Sequence, residues 1–223
     1  MNEHQNKLFA LIESENKTEL ECKAFLKFSR DLLVKTTPYR FVEEKEEYIN
    51  HLGISDYLIV CDAKDTTGIV ARQAYIWETK APQCFLFEAD TANRVMPTKD
   101  FISAENQLLH YYDECRESGV FRTEFGILEP KDIILGGIII GSQKRKVKTT
   151  KEFNYSPIEI DKLFKKALNL RKTYLYGHPN GIQVILWDTI FEFLGDPITP
   201  KQNQPSTLPS VTDILDDGTK ITK

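Results

Sequence analysis

The sequence predicts a mixed α/β domain, a β-sheet flanked by helices, and three observations carry that expectation. Two short β-rich runs, residues 56–62 and 72–80, are separated by a polar loop through Gly68, as neighbouring strands are. Residues 133–141 are rich in β-branched side chains and free of charge, the pattern of a strand buried on both faces. Apolar residues recur at helical spacing around these runs. Strands alternating with helices build a sheet with helices on its faces.

Residues 18–35 open with Thr18 as a candidate N-cap and Glu21 three positions on. Leu20, Ala24, Phe25, Phe28, Leu32 and Leu33 then follow at helical spacing, which predicts one amphipathic helix ended by Thr36, Thr37 and Pro38. Residues 39–42 read as a short strand, 43–47 as an exposed acidic stretch and 51–55 as a turn. Pro82 stops the strand over 72–80; residues 84–88 extend along the sheet or cover it, and the stretch to Pro97 reads as irregular. Helix returns from Phe101 or Ser103 to Glu117, with Gly119 closing it. Pro157 suits the first turn of a helix reaching Arg171. A last strand over 182–187 and a short helix over 188–194 follow. From Gly195 onward Pro, Ser, Thr and Asp dominate, which predicts a flexible tail. The resulting division is an N-terminal segment 1–17, a domain 18–194 and a tail 195–223.

A length of 223 residues favours one domain plus appendages. The longest apolar run, 133–140, is far shorter than the ~20 residues that span a bilayer. The first residues carry Glu3, Glu13 and Glu15 without a long apolar stretch, so no secretory signal is read and a cytoplasmic location is expected. Cys22, Cys61, Cys84 and Cys115 form no CxxC pair and read as reduced core thiols. His4, His51, His110 and His178 lack zinc spacing. A net charge of -4 argues against a protein that coats nucleic acid with its whole surface. Residues 141–172 nevertheless hold ten basic against three acidic residues, which leaves a local basic face or an ordinary solvated surface as alternatives.

The chemistry-bearing pattern is Glu78-Thr79-Lys80. The E-x-K spacing occurs five times in the chain, so position separates this copy: it ends an apolar strand, where charge is unexpected without a use. Strand alternation sends Ala74, Ile76, Glu78 and Lys80 to one face. It leaves Glu78 and Lys80 ~7 Å apart at their Cα atoms. Taken alone, the two simply form an ion pair. Asp56 changes that balance, because antiparallel pairing of the two strands brings it beside Glu78. Two converging carboxylates repel unless a cation lies between them, and Mg²⁺ takes one or two carboxylates plus waters and phosphate oxygens. Asp62 and Asp65 are rival first carboxylates; Asp56 ranks first because it directly precedes the apolar run.

Asp56, Glu78-Thr79-Lys80 and the helical Gln107-Leu108-Leu109-His110-Tyr111 resemble, in that order, the D…ExK…QxxxY signature of PD-(D/E)xK nucleases. More narrowly, YIWETKAP, ENQLLHYYDE, IIIGSQ and IQVILWDTIFEFL look like the nuclease domain of the Shedu anti-phage defence proteins, over residues 18–194. The resemblance implies a restriction-endonuclease-like sheet and a Mg²⁺-dependent (or Mn²⁺-dependent) endonuclease acting on DNA. It implies Asp56, Glu78 and the Thr79 carbonyl as metal ligands, and Lys80 as the group that positions and helps deprotonate the attacking water. Gln107 and Tyr111 share a helix face, where the amide could orient Lys80 or a phosphate. Some nucleases of this type add a glutamate from the first helix, for which Glu19 and Glu21 are candidates. A homo-oligomer is expected, because one small domain holds duplex DNA poorly. The competing expectation is a non-catalytic nucleic-acid-binding or assembly module.

Overall fold

The computed structural model describes residues 1–50, 53–64, 68–91, 94–149, 155–176 and 181–195. Their centre is a five-stranded mixed sheet. Strands β1 (Pro38–Asn50), β2 (Gly53–Lys64) and β3 (Val70–Thr79) pair antiparallel in sequence order. β6 (Ile133–Ile139) then runs parallel to β3, and β8 (Gln183–Ile185) parallel to β6. A second sheet of three strands has the order β5-β4-β7, formed by β4 (Phe87–Thr91), β5 (Arg94–Pro97) and β7 (Val147–Lys148). The helices are α1 (Glu3–Glu13), α2 (Glu19–Lys23), α3 (Arg30–Leu33), α4 (Lys99–Glu117), α5 (Gly119–Phe125), α6 (Pro157–Tyr174) and α7 (Trp187–Gly195). None of the described helices is long and apolar enough to cross a membrane.

Period-two alternation divides the core into two layers. Leu58, Val60, Ala74, Ile76 and Ile138 face the side covered by Phe101, Ala104 and Leu108 of α4. Tyr57, Ile59, Cys61, Tyr75, Trp77 and Ile139 face Leu8 and Ile12 of α1, Cys22 of α2, and Trp187 and Ile190 of α7. α1 therefore belongs to the second layer. It is started by a reciprocal cap, in which Asn2 Oδ1 accepts the Gln5 N–H at 2.9 Å and Gln5 Oε1 accepts the Asn2 N–H at 3.1 Å. The expected helix openings at Pro157 and near Phe101 are present, with Ser156 and Thr98 as N-caps.

Four expectations are corrected. Residues 18–35 do not form one helix but α2, a 3-10 turn over Leu26–Phe28 and α3. Thr18 stands at the N-cap of α2 as expected but makes no side-chain capping bond, because its hydroxyl donates to Leu11 O at 3.1 Å; Ser29 N–H closes a tight turn on Leu26 O at 2.8 Å. The broken path buries Cys22, Leu26 and Leu33 completely while Leu20 stays exposed, so tertiary packing overrides the local helical period. The strand expected over 39–42 is longer, since β1 runs through residue 50 and takes in the acidic stretch 43–47; of the turn expected over 51–55, Gly53, Ile54 and Ser55 belong to β2, and residues 51 and 52 lie outside the described residues. The stretch before Pro97 is a β4–β5 pair. Gly119 does not simply end α4, because Ser118 caps α5 through the Phe121 N–H at 3.1 Å. The expected tail lies outside the described residues beyond Gly195.

β1 is an edge strand, which explains why its acidic middle escapes a hydrophobicity reading. Charges and register irregularities after Pro38 and Phe41 discourage further pairing along it. On β6, Gly136 and Gly137 permit close approach. A Cβ on Gly137 would lie 2.2 Å from Gln183 O, and one on Gly136 would lie 2.5 Å from Trp77 Nε1. Gly137→Ala is expected to lower stability by about 2 kcal/mol or more, since backbone of β8 must shift. Chemical denaturation checks this.

Candidate active site

The site lies where β2 begins and β3 ends. The backbone register pairs Tyr57 with Trp77, so one step further sets Asp56 across from Glu78. There the Asp56 side chain joins the two strands: its Oδ2 accepts the Thr79 N–H at 2.9 Å and the Thr79 hydroxyl at 3.2 Å. Lys23 Nζ donates to Asp56 Oδ1 at 2.7 Å. Glu78, 1% exposed, receives Lys80 Nζ on Oε1 at 2.5 Å. Its second oxygen, Oε2, is buried with no hydrogen-bond partner. The Lys80 backbone is held firmly, with its N–H on Ile139 O at 2.8 Å and its carbonyl accepting from Trp187 Nε1 at 2.8 Å.

Burial, and then the negative charge of Asp56, push the Glu78 carboxyl up to about 8 despite the opposing Lys80 ammonium. Burial alone would lower Lys80, but Glu78 above all, and then Asp56 and Glu19, hold its ammonium above the ordinary lysine value. Glu19 is also raised, first by burial, with Lys80 opposing and Asp56 adding to it; the Ala81 N–H donates to it. Lys23 is 4% exposed and lies 3.8 Å from Glu19 and 3.6 Å from Glu47. Glu47 stands across β1–β2 from Asp56, between the pairs Glu46–Tyr57 and Tyr48–Ser55, and is left-handed at φ 58°. A non-glycine residue held there marks a locally strained strand.

The structure thus brings together Asp56, Glu78, Thr79, Lys80 and Glu19. Glu21, the alternative glutamate, is exposed on α2. Gln107 lies half-buried on α4, on the side of the sheet that Glu78 faces, and its amide oxygen accepts from Ser103 at 3.4 Å. Tyr111 packs against the α4-side core. Asp65 lies outside the described residues. Asp62 sits at the other end of β2, clasped by Arg40 Nε and Arg72 Nε at 2.5 Å each. Burial works against its charge, but the two guanidiniums hold its carboxyl below the usual range. Asp62→Ala is expected to lower stability by about 1–2 kcal/mol, a modest figure because Arg40 is largely in solvent. Thermal melts of the variant beside wild type check this.

Sequence reading missed Lys23 and Glu47. Neither carries a local signal: a lysine on a short helix and a glutamate in an acidic run are ordinary surface residues until packing closes Lys23 onto Asp56 and brings Glu47 to Lys23. The basic segment is partly neutralised. Lys144 pairs with Glu13, Lys146 and Lys165 with Asp161, and Arg171 with Glu105. Lys162, Lys166 and Lys172 are exposed on α6, and Arg145 lies over the Phe85 ring at 5.2 Å. Lys151 is outside the described residues.

Among the described residues no group of three or more His, Cys, Asp and Glu side chains is set to hold a metal ion. Mg²⁺ does not require one, since it commonly binds through one or two carboxylates and keeps several waters. The residues fit such an ion. Glu78 offers a buried oxygen without a partner, and the Asp56 charge beside it is one that a cation would offset. In comparison with known proteins, no family model matches the chain and no curated protein matches it.

Proposed function

We propose that this chain is a Mg²⁺-dependent nuclease that hydrolyses DNA phosphodiester bonds, a PD-(D/E)xK enzyme of the Shedu type serving anti-phage defence as a cytoplasmic homo-oligomer. The observation that carries the chemistry is the Glu78 carboxyl. It is buried close against the Asp56 carboxylate, with the Lys80 ammonium on one oxygen and no hydrogen-bond donor on the other. A structural ion pair gains nothing from leaving a buried oxygen unsatisfied, whereas a divalent-cation ligand needs that oxygen open.

Asp56 and Glu78, with the Thr79 carbonyl, would hold the ion. When bound, it lowers the pKa of a water and offsets charge on the scissile phosphate. Thr79 fixes the orientation of Asp56 through two hydrogen bonds. Lys80, kept charged by Glu78, donates hydrogen bonds and positive charge toward a phosphate oxygen or the attacking water. In this protonation state it orients the water and takes no proton. Exposed Lys162, Lys166 and Lys172 supply sequence-independent attraction for the phosphate backbone.

The second reading, a non-catalytic nucleic-acid-binding or assembly module, draws on the charge balance of the site, since Lys23 pairs with Asp56 and Lys80 with Glu78. Incubation with supercoiled, linear and single-stranded DNA in Mg²⁺ separates the two. Cleavage that EDTA abolishes is expected. Intact DNA in every form, together with no calorimetric Mn²⁺ binding, would leave the module.

A further inference from the structure

We propose that Lys23 is the resident cation of this site: its ammonium holds Asp56 while no divalent ion is bound and passes to Glu19 or Glu47 when one is. The inference rests on the reading of the site as a divalent-cation centre. It starts from the capacity of one carboxylate, which offers about four lone-pair positions. Asp56 uses three of them. Oδ2 accepts the Thr79 N–H and hydroxyl, and Oδ1 accepts Lys23. The remaining position is on Oδ1, the atom that Lys23 occupies, so a divalent ion there meets an ammonium on the same oxygen.

Lys23 has somewhere to go. It is almost wholly buried, which closes off retreat into solvent, yet two further carboxylates flank it at 3.8 Å and 3.6 Å. Those separations are ion pairs but long for hydrogen bonds, against 2.7 Å to Asp56. A shift of the flexible lysine stem converts either one into a close pair without breaking the fold. Glu47 is brought to this place by a left-handed backbone that glutamate rarely adopts, and strain of that kind persists only where surrounding structure enforces it. Lys23 is thus a positioning residue that acts through Asp56.

The test is calorimetric titration of Mn²⁺ into wild type and Lys23→Met, with thermal melts to establish folding. Alongside it, the side-chain nitrogen signal of Lys23 is followed by NMR in the wild type as Mg²⁺ is added. Lys23→Met is expected to bind Mn²⁺ ~10-fold or more tightly, because a like charge next to the ligand oxygen has gone. The wild-type Lys23 signal should move in step with Mg²⁺ saturation. Equal or weaker Mn²⁺ binding by a folded Lys23→Met, or a Lys23 signal unmoved while the wild type binds, overturns the resident-cation role and leaves the cation centre standing. A wild type that takes up no Mn²⁺ overturns the cation centre and this role with it. Should Lys23→Met fail to fold, the wild-type NMR titration decides.

Discussion

Lys80→Ala is expected to lose DNA cleavage by ~100-fold to 1000-fold, the effect of deleting one electrostatic donor at a reacting phosphate, while still binding Mn²⁺ at least as tightly as wild type. The two halves of this result have one origin. The Lys80 main chain is held by Ile139 O and by the Trp187 indole, neither of which depends on its side chain, so alanine leaves the strand end in place. What goes is one positive charge, 2.5 Å from Glu78 Oε1. A ligand carboxylate freed of a competing ammonium favours a divalent ion. The transition state of the proposed hydrolysis, by contrast, would lose a donor that only the ammonium supplies. Comparing single-turnover cleavage with calorimetric Mn²⁺ affinity reads both halves. A variant that cuts DNA like wild type removes Lys80 from the chemistry and returns it to the role of a structural partner.

The second large effect belongs to Glu78. In the cation-free protein its folded pKa is about 8, raised from an ordinary 4.5 by burial and by Asp56. Between those values the unfolded chain has released the proton and the folded chain keeps it, so the folded state binds more protons and stability falls as pH rises. Wild type should therefore lose stability from about pH 5 to about pH 8, by a few kcal/mol in total, since each tenfold drop in proton concentration across that range costs ~1.4 kcal/mol. Glu78→Gln is permanently neutral and should melt higher than wild type at pH 8, with little slope over that range. Mn²⁺ should raise the wild-type midpoint at pH 8, because binding to the folded state alone stabilises it, and leave Glu78→Gln unmoved. Thermal melts at several pH values, with and without Mn²⁺, check all three statements. A wild-type midpoint that holds level or rises across this range contradicts a buried carboxyl crowded by a second one.

Much of the fold was legible where a segment is apolar and strongly periodic. α4, α6, β3 and β6 could be read to within a few residues, because both the period and the burial are written in the side chains themselves. β1 was legible only at its start. Its middle, Glu43 to Glu47, is an edge whose side chains meet charge partners such as Arg30 and Glu124 rather than a core. The β4–β5 pair was lost because these strands are short and lie in a separate small sheet. The single helix expected over 18–35 failed for the opposite reason: its period was real, but burying Cys22, Leu26 and Leu33 against the sheet demanded a bent path.

Which strands carry the charged residues, and which face each occupies, follows from residue order, because alternation is a local property of extended backbone. From it came Asp56 beside Glu78 and Lys80, once β2 and β3 pair antiparallel. Long-range packing alone closes α2 over this strand end, bringing Lys23 and Glu19 within reach of Asp56, and draws Glu47 in from β1. It also gave Asp62 to two arginines. Such choices depend on contacts between residues far apart in the chain, and no local pattern of charge or hydrophobicity encodes which distant partner a buried ion will find.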